Sequence, residues 1–374
     1  MFRTMQNSWR SRPAGYLFAL VLLLQASATL AHPPGLSSVE LTLKTDQVLA
    51  KVTFALQDIE AFAPMDSDLD AEVSNSEREA AKPAVARLLA EQLRINIDGN
   101  DVLPDGADHI EYDEQNNARV ELVFTAKDAR QVVVQAKFLT LLPEGHQQFV
   151  TVRDANGRAV AEKMLHRSDD SLTIDLAAAG KATTSNVSPL ESFIDFLQLG
   201  IEHIVTGYDH LLFLFALLAV THSFWPAIKI ITFFTIAHSI TLAMAGLNVF
   251  DLPSSFVEPF IAATIVYVAV ENVIRGDHPH GRHWLTFGFG LIHGFGFAGV
   301  LRELDITSSG TGILLPLLSF NLGIETGQIA VAAIALPLIW QLNNRVAVAD
   351  KFLRGGSVLI ALVGAYWFLE RTVL

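Results

Sequence analysis

Gly200-Ile201-Glu202-His203-Ile204-Val205-Thr206-Gly207-Tyr208-Asp209-His210 opens onto Leu211-Leu212-Phe213-Leu214-Phe215-Ala216-Leu217-Leu218-Ala219-Val220, an apolar run without a break. Such a run reads as the interior of a membrane helix, where an acidic or basic side chain costs roughly 2.5–3.5 kcal/mol at the helix centre. His203, Asp209 and His210 stand at its mouth, so a partner or ligand must offset them. The spacing predicts one helix over Phe193–Val220, in which His203 and His210, two turns apart, share a face with Asp209 beside them.

The same hydropathy recurs downstream. At ~20 apolar residues per span, about six helices are predicted: Phe193–Val220, Trp225–Leu247, Phe256–Ile274, Trp284–Leu301, Ile313–Leu342 and Leu353–Leu369. Lys229, Arg275, Arg282, Arg345, Lys351 and Arg354 fall on one predicted side, and Arg302 and Arg371 on the other. Excess Lys/Arg marks the cytoplasmic side, so the helices begin and end outside.

Upstream the solvent changes. The chain has 374 residues, 51% of them hydrophobic, with a formal charge of −13 that comes mostly from the part before Pro189. Mean hydropathy is +0.37. The charge distribution argues against nucleic acid and suits a cation-attracting surface, while the C-terminal half is solvated by membrane lipid. Arg3, Arg10 and Arg12, the apolar stretch Tyr16–Leu24 and the small residues up to Ala31 have the form of a signal peptide over 1–31. Residues 32–180 then form an exported β-rich domain, 181–188 a polar linker and 189–374 the transmembrane helical domain. This organisation implies a bacterial inner membrane with the N-terminal domain on the periplasmic side. There are no cysteines, so disulfides and thiolate metal sites are excluded.

Period-two alternation from Ser38 to Leu56 predicts a hairpin. Further strands are predicted at Leu93–Ile97, His109–Tyr112, Arg119–Thr125, Gln131–Phe138, Gln148–Arg153, Glu162–Leu165 and Leu172–Leu176, giving an antiparallel β-sandwich with an inserted helix, Glu77–Leu93. Before that helix stand Asp66, Asp68, Asp70, Glu72 and Glu77, spaced like a calcium loop except that Ala71 replaces the glycine of the sixth position. The alternatives are a calcium site and a solvated acidic loop.

Each predicted membrane helix carries polar residues. His238 lies mid-helix; Glu258 and Glu271 mark the ends of the third span; His293 sits in a glycine-rich helix; Asn321, Glu325 and Gln328, at i, i+4 and i+7, form a stripe on the fifth. One buried His is commonly structural, but four with several carboxylates add their desolvation costs in one bundle. Imidazole and carboxylate donors suit nickel, cobalt, zinc or copper(II) better than calcium. Gly276–His283 has His-x-His-x-x-His spacing and reads equally as an ion-accepting or a plain polar loop.

Gly200–His210, Phe289–Ala298 and Phe320–Gln328 together resemble the HupE/UreJ family of membrane proteins over roughly Pro189–Leu374, and the exported domain resembles that of the family's longer branch. The resemblance implies a permease for nickel or a neighbouring divalent metal with His203, Asp209 and His210 in the ion path, and no enzymatic activity. A second motif of the shorter permeases, F-H-G-x-A-H-G-x-E, survives only at His293-Gly294, with Phe297 in place of its second His and Val300 in place of its Glu. The rival readings are a membrane redox protein with haem held by two His, such as His210 and His293, and a non-transporting metal sensor or accessory subunit working with a metallochaperone or partner subunit.

Overall fold

The computed structural model describes residues 35–68, 73–113, 117–127, 129–176, 188–247, 249–250, 252–276, 281–297, 312–343 and 346–373. The predicted signal peptide and nearly all of the linker lie outside them.

Among the described residues, ten strands form the N-terminal region: β1 Leu36–Leu43, β2 Gln47–Ala55, β3 Leu93–Ile97, β4 Asn100–Val102, β5 Gly106–Tyr112, β6 Asn117–Thr125, β7 Gln131–Ala136, β8 Gln147–Arg153, β9 Ala159–Leu165 and β10 Ser171–Asp175. They make a six-stranded sheet, β5-β6-β2-β1-β8-β9, and a four-stranded sheet, β10-β7-β3-β4. The predicted strands are present, and pairing is antiparallel except between β1 and β8, which run parallel. Inward positions of both sheets (Val39, Leu41, Phe54; Ile95, Val132, Val134) share one core with α1 (Leu56–Phe62) and α2 (Asn75–Gln92). Ser74 caps α2 in a reciprocal box with Glu77, which starts the helix two residues before the predicted Glu77.

β8 is buried at every position, QQFVTVR. Pattern alone suggests one wet face; instead Phe149 packs edge-on to Phe196 at 5.6 Å, and Leu36 and Met164 join the same cluster beneath the helices.

The helices are α3 Pro189–Thr206, α4 Tyr208–Leu218, α5 Phe224–Gly246, α6 Ser254–Arg275, α7 Arg282–Gly296, α8 Leu314–Asn343 and α9 Val346–Val373. Among the described residues four are long and apolar enough to cross a membrane, and α3 with α4 makes a fifth if the pair is one span. One sequence expectation differs in the structure. The predicted single helix Phe193–Val220 is broken, with α3 and α4 bent by 71°. Of the predicted span Trp284–Leu301, the described residues form α7, 15 residues long, and residues 298–301 lie outside them.

The break follows from Gly207, which ends α3 and begins α4 with its backbone extended. Glycines also set the helix spacing. A methyl at Gly200 would strike the Phe320 carbonyl, and one at Gly323 the Leu197 carbonyl, so α3 and α8 lie backbone to backbone. Gly290 and Gly294 seat α7 against Phe234 and His238 of α5 in the same way.

Candidate metal centre

The helix break decides the site. His203 closes α3 and His210 opens α4, so the two rings meet at 4.6 Å between centroids. On an unbroken helix seven residues would separate them by about 10 Å. The shared face expected from periodicity is therefore replaced by a corner.

α5 brings His238 to the same corner, 6.3 and 6.4 Å from the other two rings. His203, His210 and His238 offer ligand atoms that lie within 4.8 Å of one another. Two nitrogens on one tetrahedral ion stand about 3.3 Å apart, so small side-chain adjustments would close the set. His293 of α7 adjoins His210 at 5.4 Å.

The hydrogen bonds assign the free nitrogens. Asp209 Oδ1 accepts the His210 Nδ1–H at 2.9 Å and its backbone N–H at 2.8 Å. The carboxylate also lies in the first turn of α4, where the helix dipole favours negative charge. His238 Nδ1–H donates to Asn321 Oδ1 at 3.3 Å, while the Asn321 amide is fixed by the Leu317 carbonyl at 2.7 Å. Thr264 donates to the Ile261 carbonyl and so accepts from His293 Nε2–H at 3.0 Å. Among the described residues, Nε2 of His203, His210 and His238 and Nδ1 of His293 have no hydrogen-bond partner. Each unsatisfied buried acceptor costs about 1–3 kcal/mol. Four unpartnered nitrogens in one place form a ligand set whose cost an ion would offset, and the supporting bonds orient the rings of His210, His238 and His293 for it.

Aromatic rings jacket the cluster. Phe297 lies 4.6 Å from His203 and stacks on Phe320 at 4.7 Å, nearly parallel at 10°. Phe213 and Phe234 lie 4.9 and 5.3 Å from His293. A dry wall strengthens each charge interaction inside, and ring faces attract a partly dehydrated cation. Phe297, read from sequence as a lost ligand, thus stands at the cluster as a wall. Sequence reasoning missed Thr264 and Phe320, since a Thr or Phe in an apolar helix carries no signal of its own.

Of the other predicted residues, Glu325 accepts from Thr232 at 2.7 Å, and Gln328 Oε1 lies 3.3 Å from the Thr235 hydroxyl, extending a polar seam between α5 and α8. Glu258 sits elsewhere: it pairs with Arg371 at 3.8 Å, half exposed at the start of α6, because α9 packs beside α6 and brings that arginine to it. Glu271 lies beside Arg275 and the buried Arg282 at the far end of α6. Asp277, His278 and His280, Val300, Asp70 and Glu72 fall outside the described residues.

In the acidic loop, Asp66, Asp68 and Glu77 come within 4.8 Å. Glu77 is already engaged: Oε1 accepts the Ser67 N–H and hydroxyl at 2.6 and 2.7 Å, and Oε2 accepts the Ser74 N–H and hydroxyl, both at 2.9 Å. These bonds hold its carboxyl down to about 2.

The sequence model of a family described as HupE / UreJ protein matches residues 179–371, half the chain and every helix of the cluster. The chain belongs to the HupE/UreJ family. No curated protein matches it. The HupE/UreJ segment holds the histidines, Asp209 and the aromatic jacket, whereas β1–β10 lie before it. With its apolar helices, this HupE/UreJ chain is a membrane protein.

Proposed function

We propose that this HupE/UreJ protein is a permease for a divalent transition metal, nickel or cobalt first, and not an enzyme. The observation that carries the reading is the corner at which three imidazoles with bare nitrogens meet inside an apolar bundle. Neutral imidazoles suit these metals, and Asp209 supplies negative charge against the dication while fixing the His210 tautomer. Asn321 orients His238, and Glu325 and Gln328 extend the polar seam away from the corner. The signal-like N-terminus and the Lys/Arg distribution support a bacterial inner membrane with the β region on the periplasmic side.

The haem reading has less behind it, because three further imidazoles and the rings of Phe213 and Phe234 crowd His293, which suits a compact ion better than a flat macrocycle. The test is metal flux into proteoliposomes containing the purified chain, across nickel, cobalt, zinc, copper and manganese, against Asp209→Asn. Flux of one metal that the variant loses is expected. Tight binding without flux would replace the permease by a metal-binding accessory subunit; neither binding nor flux would end the metal reading.

A further inference from the structure

A cleft of about 320 Å³ lies between the sheet and α3, lined by His146 and Gln147 at the head of β8, His166 and Arg167 after β9, and Glu202. Glu202 directly precedes His203 of the metal corner on α3, so the two side chains leave the helix about 100° apart, Glu202 toward the sheet and His203 into the bundle. Its carboxylate accepts the Gln198 amide at 2.9 Å and, across the cleft, the Gln147 Nε2–H. Both donors are neutral amides that a cation could displace. Gln147 is 3% exposed, yet its Oε1 has no hydrogen-bond partner. His146, equally buried, makes no hydrogen bond at Nδ1, which faces the Asp58 carboxylate at 3.6 Å. Arg167 turns its charge onto the carbonyls of Leu139, Thr140 and Leu142 at 3.4, 3.5 and 2.6 Å.

We propose that this cleft is a loading site, where a hydrated divalent cation is captured by the Glu202 carboxylate and the Gln147 amide oxygen before transfer to His203. The proposal rests on the permease reading. Rotation of the Gln147 amide about its last side-chain bond, a soft torsion, replaces the Nε2–H facing Glu202 with Oε1, so both oxygens meet one ion. One carboxylate and one amide with retained water bind nickel or cobalt more weakly than several imidazoles do. A capture site must be the weaker of the two, since a tighter one would trap its ion. The β region thereby acquires a role: it supplies the amide oxygen and the far wall of the cleft.

The experiment uses the full chain in nanodiscs with cobalt(II), counting bound ions by equilibrium dialysis and reading the ligand set from visible absorption, together with cobalt flux in proteoliposomes. The wild type is expected to bind a tight ion, with the absorption of a nitrogen-rich site, and a weaker second ion. Glu202→Gln should abolish the second ion, leave the first and its spectrum intact, and raise the apparent KM about tenfold with the maximal rate within about twofold. Gln147→Met should shift the second ion and KM in the same direction, and it carries the test if Glu202→Gln does not fold. A single ion in the wild type, or a second ion and KM untouched by either variant, overturns the loading site while the permease stands. Loss of the tight ion and of flux in the wild type itself instead overturns the permease reading.

Discussion

The rings of His203 and His210 lie 4.6 Å apart because the helix between them stops at Gly207 and restarts at 71°. A β-carbon at Gly207 would sit 2.6 Å from the His203 carbonyl and 2.9 Å from His210 Nδ1. Gly207→Ala should therefore open the corner while the rest of the bundle stays folded. Cobalt(II) affinity should fall about tenfold or more; unchanged affinity in a folded variant would mean that the corner does not hold the metal.

Thr264 has one polar task at the cluster, accepting from His293 Nε2–H at 3.0 Å. Thr264→Val keeps the shape and removes the acceptor, freeing the tautomer. A loss of about tenfold in cobalt(II) affinity is expected if His293 ligates. An unchanged visible spectrum and affinity would leave His293 as packing.

Gly200 and Gly323 keep α3 and α8 in backbone contact. Gly200→Ala should cost about 1–3 kcal/mol through overpacking. Thermal unfolding in detergent reads it, and the shift should be the same in a Glu202→Gln background as in the otherwise wild-type chain, since the clash is with the Phe320 backbone and not with the cleft.

Outside the membrane, hydrogen bonds from Ser67 and then Ser74 bring the Glu77 carboxyl from 4.5 down to about 2. A lowered folded value means that ionised Glu77 stabilises the start of α2 fully above about 4.5, and that this contribution disappears as pH falls towards about 2. Hydrogen exchange across Asn75–Gln92 should show first-turn protection falling in that window, and Glu77→Gln should remove the dependence. Ser74→Ala should loosen the same turn by about 1 kcal/mol at neutral pH.

Much of this was legible in the residues. Alternation in β1 and β2, the apolar lengths of α5, α6 and α8, and the chemical identity of His203, Asp209, His210 and His238 all follow from local pattern, because periodicity and desolvation cost are properties of short segments. The parallel β1–β8 pair was not legible, since two strands separated by most of the domain carry no signal of their relative direction. The neighbour of Glu258 was not legible either, since only the packing of α9 beside α6 brings Arg371 to it.

The sequence by itself determined which side chains would be costly to leave in lipid, and hence that imidazole and carboxylate chemistry resides in the bundle. Only the tertiary structure decided which nitrogens face one another, because that depends on the bend at Gly207, on helices drawn close by Gly200, Gly290, Gly294 and Gly323, and on Asn321 and Thr264, whose hydrogen bonds choose the free nitrogens of His238 and His293.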